Sequence, residues 1–411
     1  MCAAILYHNK LQQMCLTKGS SMTELQELRR YRRDLHRIPE LDFDLPQTIA
    51  YIEGVLAPLT CEVTHPCPSC VCAFFDAGVD AAHATAIRAD MDALPIAEAT
   101  GAAFASTHPG KMHACGHDGH MAMALAAATY VDRTIREQPG AIRRNVLFVF
   151  QPAEETVGGA HGMIEHGCLK NPRVTRVMSL HVDPNYETGK VLVCNGKMNA
   201  STTELSITVN GTSCHGAHPE KGVDSIVVAA QVISALQSIS SRFSAPTTPL
   251  IVTLGTIHGG TKENIIAGSV EMRGTIRALD FATRDFVKAK VKEIAQGTAA
   301  AFGATATVEM SDGYPPLVND RATSQRLSEV AQAALGAENV VFMEEPSLGA
   351  DDFAYFTEAV PGTYFNIGTA TPGNPQPQML HSETFCPDER CIKTGILLEV
   401  LGTLAFLEDD K

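Results

Sequence analysis

The sequence predicts an α/β protein of two domains: a mostly parallel sheet covered by helices, and a ferredoxin-like α+β unit inserted into it. Three observations carry this expectation. At 411 residues the chain is longer than one hydrophobic core usually organises. Over the first half, continuous apolar runs of strand length alternate with helical ones, the pattern of parallel strands buried on both faces. Near residue 203 the pattern changes to period two, then proceeds strand, helix, strand, strand, helix, strand.

Residues 1–20 read as a poorly ordered extension. They lack the basic start, long apolar segment and small-residue cleavage site of a secretory signal, so the expected location is cytoplasmic. From Met22 to Leu35, apolar residues recur at helical spacing, and Thr23 three residues before Gln26 suggests a capping box. Strands are expected at Val71–Phe75, Ala84–Arg88, Asn145–Phe150 and Val177–His181, with helices at Gly119–Tyr130 and Gly159–His166 between them. The inserted unit comprises strand Glu204–Val209, helix Ser225–Ser238, strands Leu250–Ile257 and Ser269–Ala278, helix Thr283–Phe302 and strand Ala306–Met310. Strand Tyr364–Ile367 returns to the first domain, which thus takes 21–202 and 315–411, with the insertion at 203–314.

The formal charge of -14, with no basic block to follow a phosphate backbone, argues against a nucleic-acid partner. Apolar stretches such as Ser225–Leu236 fall short of the roughly 20 residues that span a bilayer, so no membrane association is expected. Twelve cysteines scattered without framework spacing read as mostly buried thiols. Within the cluster Cys67, Cys70 and Cys72, Pro66–Cys70 matches half of a zinc-deaminase signature, but the upstream His-x-Glu half is missing.

The strongest chemical signal is Met112–His120, where a thiol, three imidazoles and a carboxylate precede a small-residue helix. That composition suits a transition metal such as Zn, Mn or Ni. The strand Val146–Phe150 runs into Glu154 and Glu155, and open α/β sheets bind ligands at the C-terminal edge of their strands. Adjacent carboxylates face differently, so one can ligate a metal while the other handles protons. His181 closes another expected strand and should emerge at the same edge, while His381 follows a Pro-rich loop. Together Cys115, His117, Glu155, His181 and His381 supply ligands for one or two metal ions.

On these residues the chain resembles the M20 metallopeptidase family, specifically the amidohydrolase subgroup of hippurate hydrolases, auxin-conjugate hydrolases and N-acyl amino acid deacetylases. The matching motifs are His36–Glu40, Arg88–Pro95, the Cys115 segment, the Glu154–Glu155 segment, His181 and Leu380–Ser382, spread over nearly all of residues 24–405. The resemblance implies two divalent metal ions per subunit, with Mn, Zn, Ni and Co not distinguishable. It makes Cys115, His117, Glu155, His181 and His381 the ligands, Glu154 the general base and Asp90 a supporting carboxylate. Arg88 stands where relatives outside the subgroup carry a ligand histidine.

The insertion resembles the family's histidine loop at Gly211–Pro219 and its asparagine turn at Gly259–Asn264, which implies His215 and Asn264 as substrate-binding or oxyanion residues. Cys214 and Gly216 depart from the usual neighbours of that histidine, and Ala267 replaces a common proline. The implied reaction is hydrolysis of a small N-acyl compound, such as an N-acyl amino acid. The implied assembly is a homodimer through the insertion, with His215 completing the site of the partner subunit. A dipeptidase or aminoacylase-like peptidase is the enzymatic alternative, and a ligand-binding relative without catalysis the other.

Overall fold

The fold is described from a computed structural model over residues 22–78, 83–374 and 378–406. The extension at 1–20 and the Thr23–Gln26 side chains of the suggested capping box lie outside the described residues. The chain divides into two compact units. The described residues of Met1–Gly196, Val318–Glu344 and Tyr355–Lys411 form the first; Lys197–Leu317 and Glu345–Ala354 form the second. The segment Glu345–Ala354 carries no strand or helix pattern that would tie it to the 203–314 stretch in the sequence.

The first unit is built on an eight-stranded sheet in the spatial order Glu62–Thr64, Val71–Phe75, Asn145–Gln151, His83–Asp90, Arg173–Glu187, Gly362–Ala370, Val191–Val193 and Val340–Phe342. Its four middle strands, Asn145–Gln151 through Gly362–Ala370, are mutually parallel, and antiparallel pairs occur only towards the two sides. The continuous apolar run Val146–Phe150 reflects this place: every residue of the strand Asn145–Gln151 is buried. Helix His117–Glu137 begins before the expected Gly119 and is buried almost throughout its first two-thirds, where Ala and Gly allow close approach to the sheet. Helix Cys391–Ala405 is also nearly all buried, which accounts for its lack of a polar stripe.

His181 does not close its strand, as the sequence suggests. The strand runs from Arg173 to Glu187, because residues after His181 continue to pair with Gly362–Ala370. On the other side, the ladder to His83–Asp90 stops at Arg88 opposite Ser179. His181 therefore lies just beyond the neighbouring pairing and still reaches the C-terminal edge.

The second unit is a four-stranded antiparallel sheet, in the order Thr305–Asp312, Ser201–Asn210, Ser269–Ala278, Leu250–Gly259. With helices Ser225–Leu236 and Phe281–Ala301, the chain order is βαββαβ, as the sequence pattern predicts. The alternating Leu205, Ile207 and Val209 point into a core closed by Val228, Val232, Val287 and Val291 from the helices. Asp280 caps the second helix by accepting from Thr283 N–H at 2.7 Å, which starts it ahead of the expected Thr283. By length and composition Ser225–Phe243 could cross a membrane. Val228, Ala229, Val232, Leu236 and Ile239 from this segment are nevertheless buried in the unit's own core.

Candidate metal centre

Two tight turns deliver the chemistry-bearing side chains to one sheet edge. Cys115 and His117 flank Gly116, whose φ of +90° is left-handed and whose missing Cβ would stand 2.6 Å from Val182 Cγ2. Past Gln151, Ala153 adopts φ 56°, and Gly158 N–H closes back on the Ala153 carbonyl at 2.9 Å. The next helix then starts against the strand end: a Cβ on Gly159 would lie 2.1 Å from the Pro152 carbonyl oxygen. His381, at φ 60°, is held by its N–H donating to the Ala114 carbonyl at 2.9 Å.

These turns bring Cys115, His117, Glu155, His181 and His381 together. Ligand atoms of Cys115, His117 and His181 lie within 4.8 Å of one another, as do those of Cys115, Glu155 and His381, and those of His117, Glu154 and Glu155. Cys115 Sγ is 3.3 Å from His181 Nε2. Glu155 Oε1 is 3.3 Å from His381 Nε2 and 3.8 Å from His117 Nε2.

Backbone carbonyls orient both inner histidines. His117 Nδ1–H donates to the Asp92 carbonyl at 2.8 Å, and His181 Nδ1–H to the Val182 carbonyl at 2.7 Å. Because a carbonyl only accepts, each ring turns an Nε2 lone pair towards the cluster, the tautomer that a metal requires. His117 Nε2 is buried without a hydrogen-bond partner, and Glu155 Oε1 meets it at 3.8 Å and His381 Nε2 at 3.3 Å, a gathering of ligand atoms that a cation joining them would satisfy. The residues thus fit a divalent metal.

Charge is concentrated here. Burial works against protonation of His117, but Asp90, Asp92 and Glu155 outweigh it and raise its pKa. Burial and the Glu155, Glu154 and Asp90 carboxylates push the Cys115 thiol well above its ordinary value. Only a cation would favour the thiolate in these surroundings.

Asp90 lies beside the cluster with both oxygens engaged: Oδ2 accepts from Arg88 Nη1 at 2.6 Å and Oδ1 from His120 Nδ1 at 2.7 Å. That arrangement matches a supporting carboxylate. His120 accepts the Val182 N–H at Nε2, 3.1 Å away. With both ring nitrogens occupied it is a brace, although Asp90, His117 and His120 also approach metal-ligand spacing. His113, from the same run, is buried with neither nitrogen partnered, and burial takes its pKa down to about 3.

Asp92 is a residue of the site to which the sequence alone assigns no role. Its Oδ1 accepts from Glu154 N–H and its Oδ2 from Glu155 N–H, each at 2.9 Å, while its carbonyl holds His117. One buried residue thereby anchors the backbone of both glutamates and the ring of a histidine. The available signal was the Asp-x-Asp spacing immediately after an apolar strand.

In the second unit, the histidine loop and asparagine turn are joined. His215 bridges to Ile265, and Gly216 N–H donates to the Asn264 carbonyl at 2.8 Å. Gly216 is needed there, since a Cβ would come within 2.9 Å of that oxygen. Ala217 N–H donates to His215 Nδ1 at 3.0 Å, so in the neutral ring the proton resides on Nε2.

The profile of peptidase family M20/M25/M40 matches residues 86–401. An N-acetyldiaminopimelate deacetylase from Shouchella clausii is 34% identical over 396 residues, covering 94% of this chain and 99% of that protein. Thermostable carboxypeptidase 1 from Saccharolobus solfataricus is 36% identical over 380 residues, 91% of this chain and 94% of that one. The solved structure of Bacillus subtilis YXEP, a dinuclear metal binding peptidase from the M20 family, aligns with a TM-score of 0.83 at 30% identity, covering 95% of this chain and 100% of that chain. A match of this extent, on a fold whose sheet edge gathers a cysteine, histidines and carboxylates at metal-ligand spacing, means that the chain belongs to peptidase family M20/M25/M40 and is an amidohydrolase.

Proposed function

We propose that the protein hydrolyses the amide bond of N-acyl amino acids or related small N-acyl compounds. Cys115, His117, Glu155, His181 and His381 would hold two divalent ions for this reaction. The observation that carries the reading is the buried His117 Nε2, without a hydrogen-bond partner, facing Glu155 Oε1 among a thiol and two further imidazoles at metal-ligand spacing. The dinuclear description of the B. subtilis relative supports the metal count. The mixed thiol, imidazole and carboxylate donors suit Zn, Mn, Co or Ni.

When bound, such ions supply Lewis acidity that makes water a better nucleophile and the amide carbonyl a better electrophile. Glu154 takes a proton from the attacking water and delivers it to the departing nitrogen. Asp92 holds the Glu154 and Glu155 backbone through its two oxygens, which fixes the main chain from which the two carboxylates project. His215, whose neutral ring carries its proton on Nε2, would serve across the proposed homodimer as donor to the oxyanion developing in the other subunit's site, with Asn264 in the same loop cluster.

A second reading is favoured by the carboxypeptidase relative, whose identity equals or exceeds that of the deacetylase. In it the enzyme cleaves unblocked peptides. A panel of N-acetyl, N-benzoyl, N-fatty-acyl and free dipeptide substrates separates the two after reconstitution with Zn, Mn, Co or Ni. Release of the amino acid from blocked substrates, detected by mass spectrometry, is the expected result. Turnover of unblocked dipeptides alone selects the second reading, and inert protein with full metal content removes both.

The same proposal includes a homodimer formed through the second unit. Ile226 and Val227 on its first helix and Ile257 on its edge strand are about half exposed, which supports an apolar contact face.

A further inference from the structure

Outside the metal centre, Cys67 and Cys70 form a close thiol pair. Their sulfurs are 3.0 Å apart, the Cys67 N–H also donates to Cys70 Sγ at 3.0 Å, and Cys70 Sγ lies 2.8 Å from the Cys67 carbonyl oxygen. The intervening Pro68 and Ser69 make a tight turn closed by Cys70 N–H on the Cys67 carbonyl at 3.4 Å, with Ser69 at φ 61°. Neighbouring contacts pin this turn from both sides: the Ser69 hydroxyl donates to the Phe43 carbonyl, and His65 Nδ1–H donates to the Cys70 carbonyl at 2.7 Å. Cys67 is part-exposed and Cys70 is buried behind it.

A metal site would need further ligands. None of the groups at metal-ligand spacing among the described residues contains either cysteine. The remaining chemistry of two adjoining thiols is with each other, since closing to a disulfide asks for only about 1 Å of sulfur movement. We infer that Cys67 and Cys70 are a reversible dithiol–disulfide site, oxidised by small disulfides that reach the part-exposed Cys67.

In the first step the Cys67 thiolate attacks one sulfur of a low-molecular-weight disulfide, forming a mixed disulfide and expelling one thiolate. Cys70 then attacks the Cys67 sulfur as its own thiolate, closes the Cys67–Cys70 bond and expels the second thiolate. Two protein thiols are oxidised, one external disulfide is reduced to two thiols, and the two protons pass to those products. In the reduced pair their mutual hydrogen bond holds the Cys70 thiol down and, with burial, pushes the Cys67 thiol up, so Cys67 attacks through a small thiolate fraction. Once Cys67 is in the mixed disulfide its thiol no longer donates, and the Cys67 N–H that still reaches Cys70 Sγ favours the Cys70 thiolate in the closing step. The pair adjoins the main site's scaffold, because Val71, next to Cys70, pairs with Phe150 on the strand leading to Glu154.

The test uses the full-length enzyme in buffers of graded oxidised-to-reduced glutathione ratio, quenched in acid, alkylated and digested for mass spectrometry. The peptide carrying Cys67 and Cys70 is expected to lose both alkyl groups together and become lighter by two hydrogen atoms, with dithiothreitol restoring it. Cys72 and Cys168 should stay reduced throughout. Cys70→Ser should stop at a glutathione adduct on Cys67, whereas Cys67→Ser should leave the buried Cys70 unmodified. Wild-type protein in which both cysteines alkylate fully at every ratio overturns the inference. So does a stable glutathione adduct on wild-type Cys67, or a bond from Cys70 to Cys72 or Cys168.

Discussion

Glu154 and Glu155 are neighbours in sequence, yet their surroundings separate them. Glu155 meets His117 and His381, and burial, which opposes its ionisation, is outweighed by those imidazoles so that its pKa falls. Glu155→Ala is therefore expected to lower metal occupancy, whereas Glu154→Gln should keep the metal and lose about 10²–10⁴ in kcat. Elemental analysis beside steady-state kinetics separates them; equal metal loss in both variants contradicts the division. Asp92 acts one step back, as a positioning residue. Asp92→Asn puts an NH2 opposite one of the two N–H groups that its carboxylate now accepts. Metal affinity is expected to weaken by about 10–100-fold, read by competition with a chelating dye, with the circular dichroism spectrum unchanged. Unchanged affinity and unchanged kinetics would show that the two N–H bonds do not govern the carboxylates.

Short elements around the edge depend on glycines for different reasons, and paired substitutions make the difference measurable. Gly159 begins helix Gly159–Glu165 where a Cβ would lie 2.1 Å from the Pro152 carbonyl oxygen. Backbone cannot yield as a flexible side chain can, so Gly159→Ala is expected to cost about 1–3 kcal/mol and to displace the Glu154–Glu155 turn. Gly162, one turn later in the same helix, has nothing within 4 Å of the corresponding position. Gly162→Ala should leave activity intact and raise stability by about 0.4–1 kcal/mol, by restricting the unfolded chain. Thermal melts of both variants check this, and a neutral Gly159→Ala would mean that the helix start relaxes freely.

At the scale of the whole molecule, Glu399 stands out as the one carboxyl side chain in the mostly buried helix Cys391–Ala405. It is buried, its Oε2 has no hydrogen-bond partner, and burial raises its pKa well above the ordinary value. The folded protein holds this carboxyl neutral, while the unfolded chain ionises it above about pH 4.5. Its relative stabilisation is thus fully present below that pH and is lost as pH rises towards the folded-state pKa. Glu399→Gln is expected to raise stability at pH 7–8 and to make little difference near pH 4. Urea titrations of chelator-treated protein keep metal loss out of the comparison; a gain that is the same at both pH values rejects the assignment. For the proposed dimer, Glu154→Gln and His215→Ala chains can be co-expressed and the mixed dimer isolated with two tags. About half of wild-type activity should return if His215 serves the partner subunit, and an inactive, metal-loaded mixed dimer would exclude that arrangement.

Much of this organisation was legible in the residues themselves. Continuous apolar runs such as Val146–Phe150 mark a sheet buried on both faces, and the alternating Leu205, Ile207 and Val209 mark one covered on a single face. Burial period is a local property, so it survives in the linear chain. The same holds for the clustering of Cys115, His117, Glu154 and Glu155 at the ends of predicted elements. Other decisions needed the third dimension. His181 sits inside a long strand and still reaches the edge, because its neighbour's ladder ends opposite Ser179. His120, equal to His117 in sequence, is consumed by Asp90 and Val182 N–H, and Asp92 gains its role only when Glu154 and Glu155 fold back over it. Residue types and their local period were determined by the sequence, but which donor meets which acceptor depends on register and chain reversal between segments far apart, and only the tertiary structure decides those.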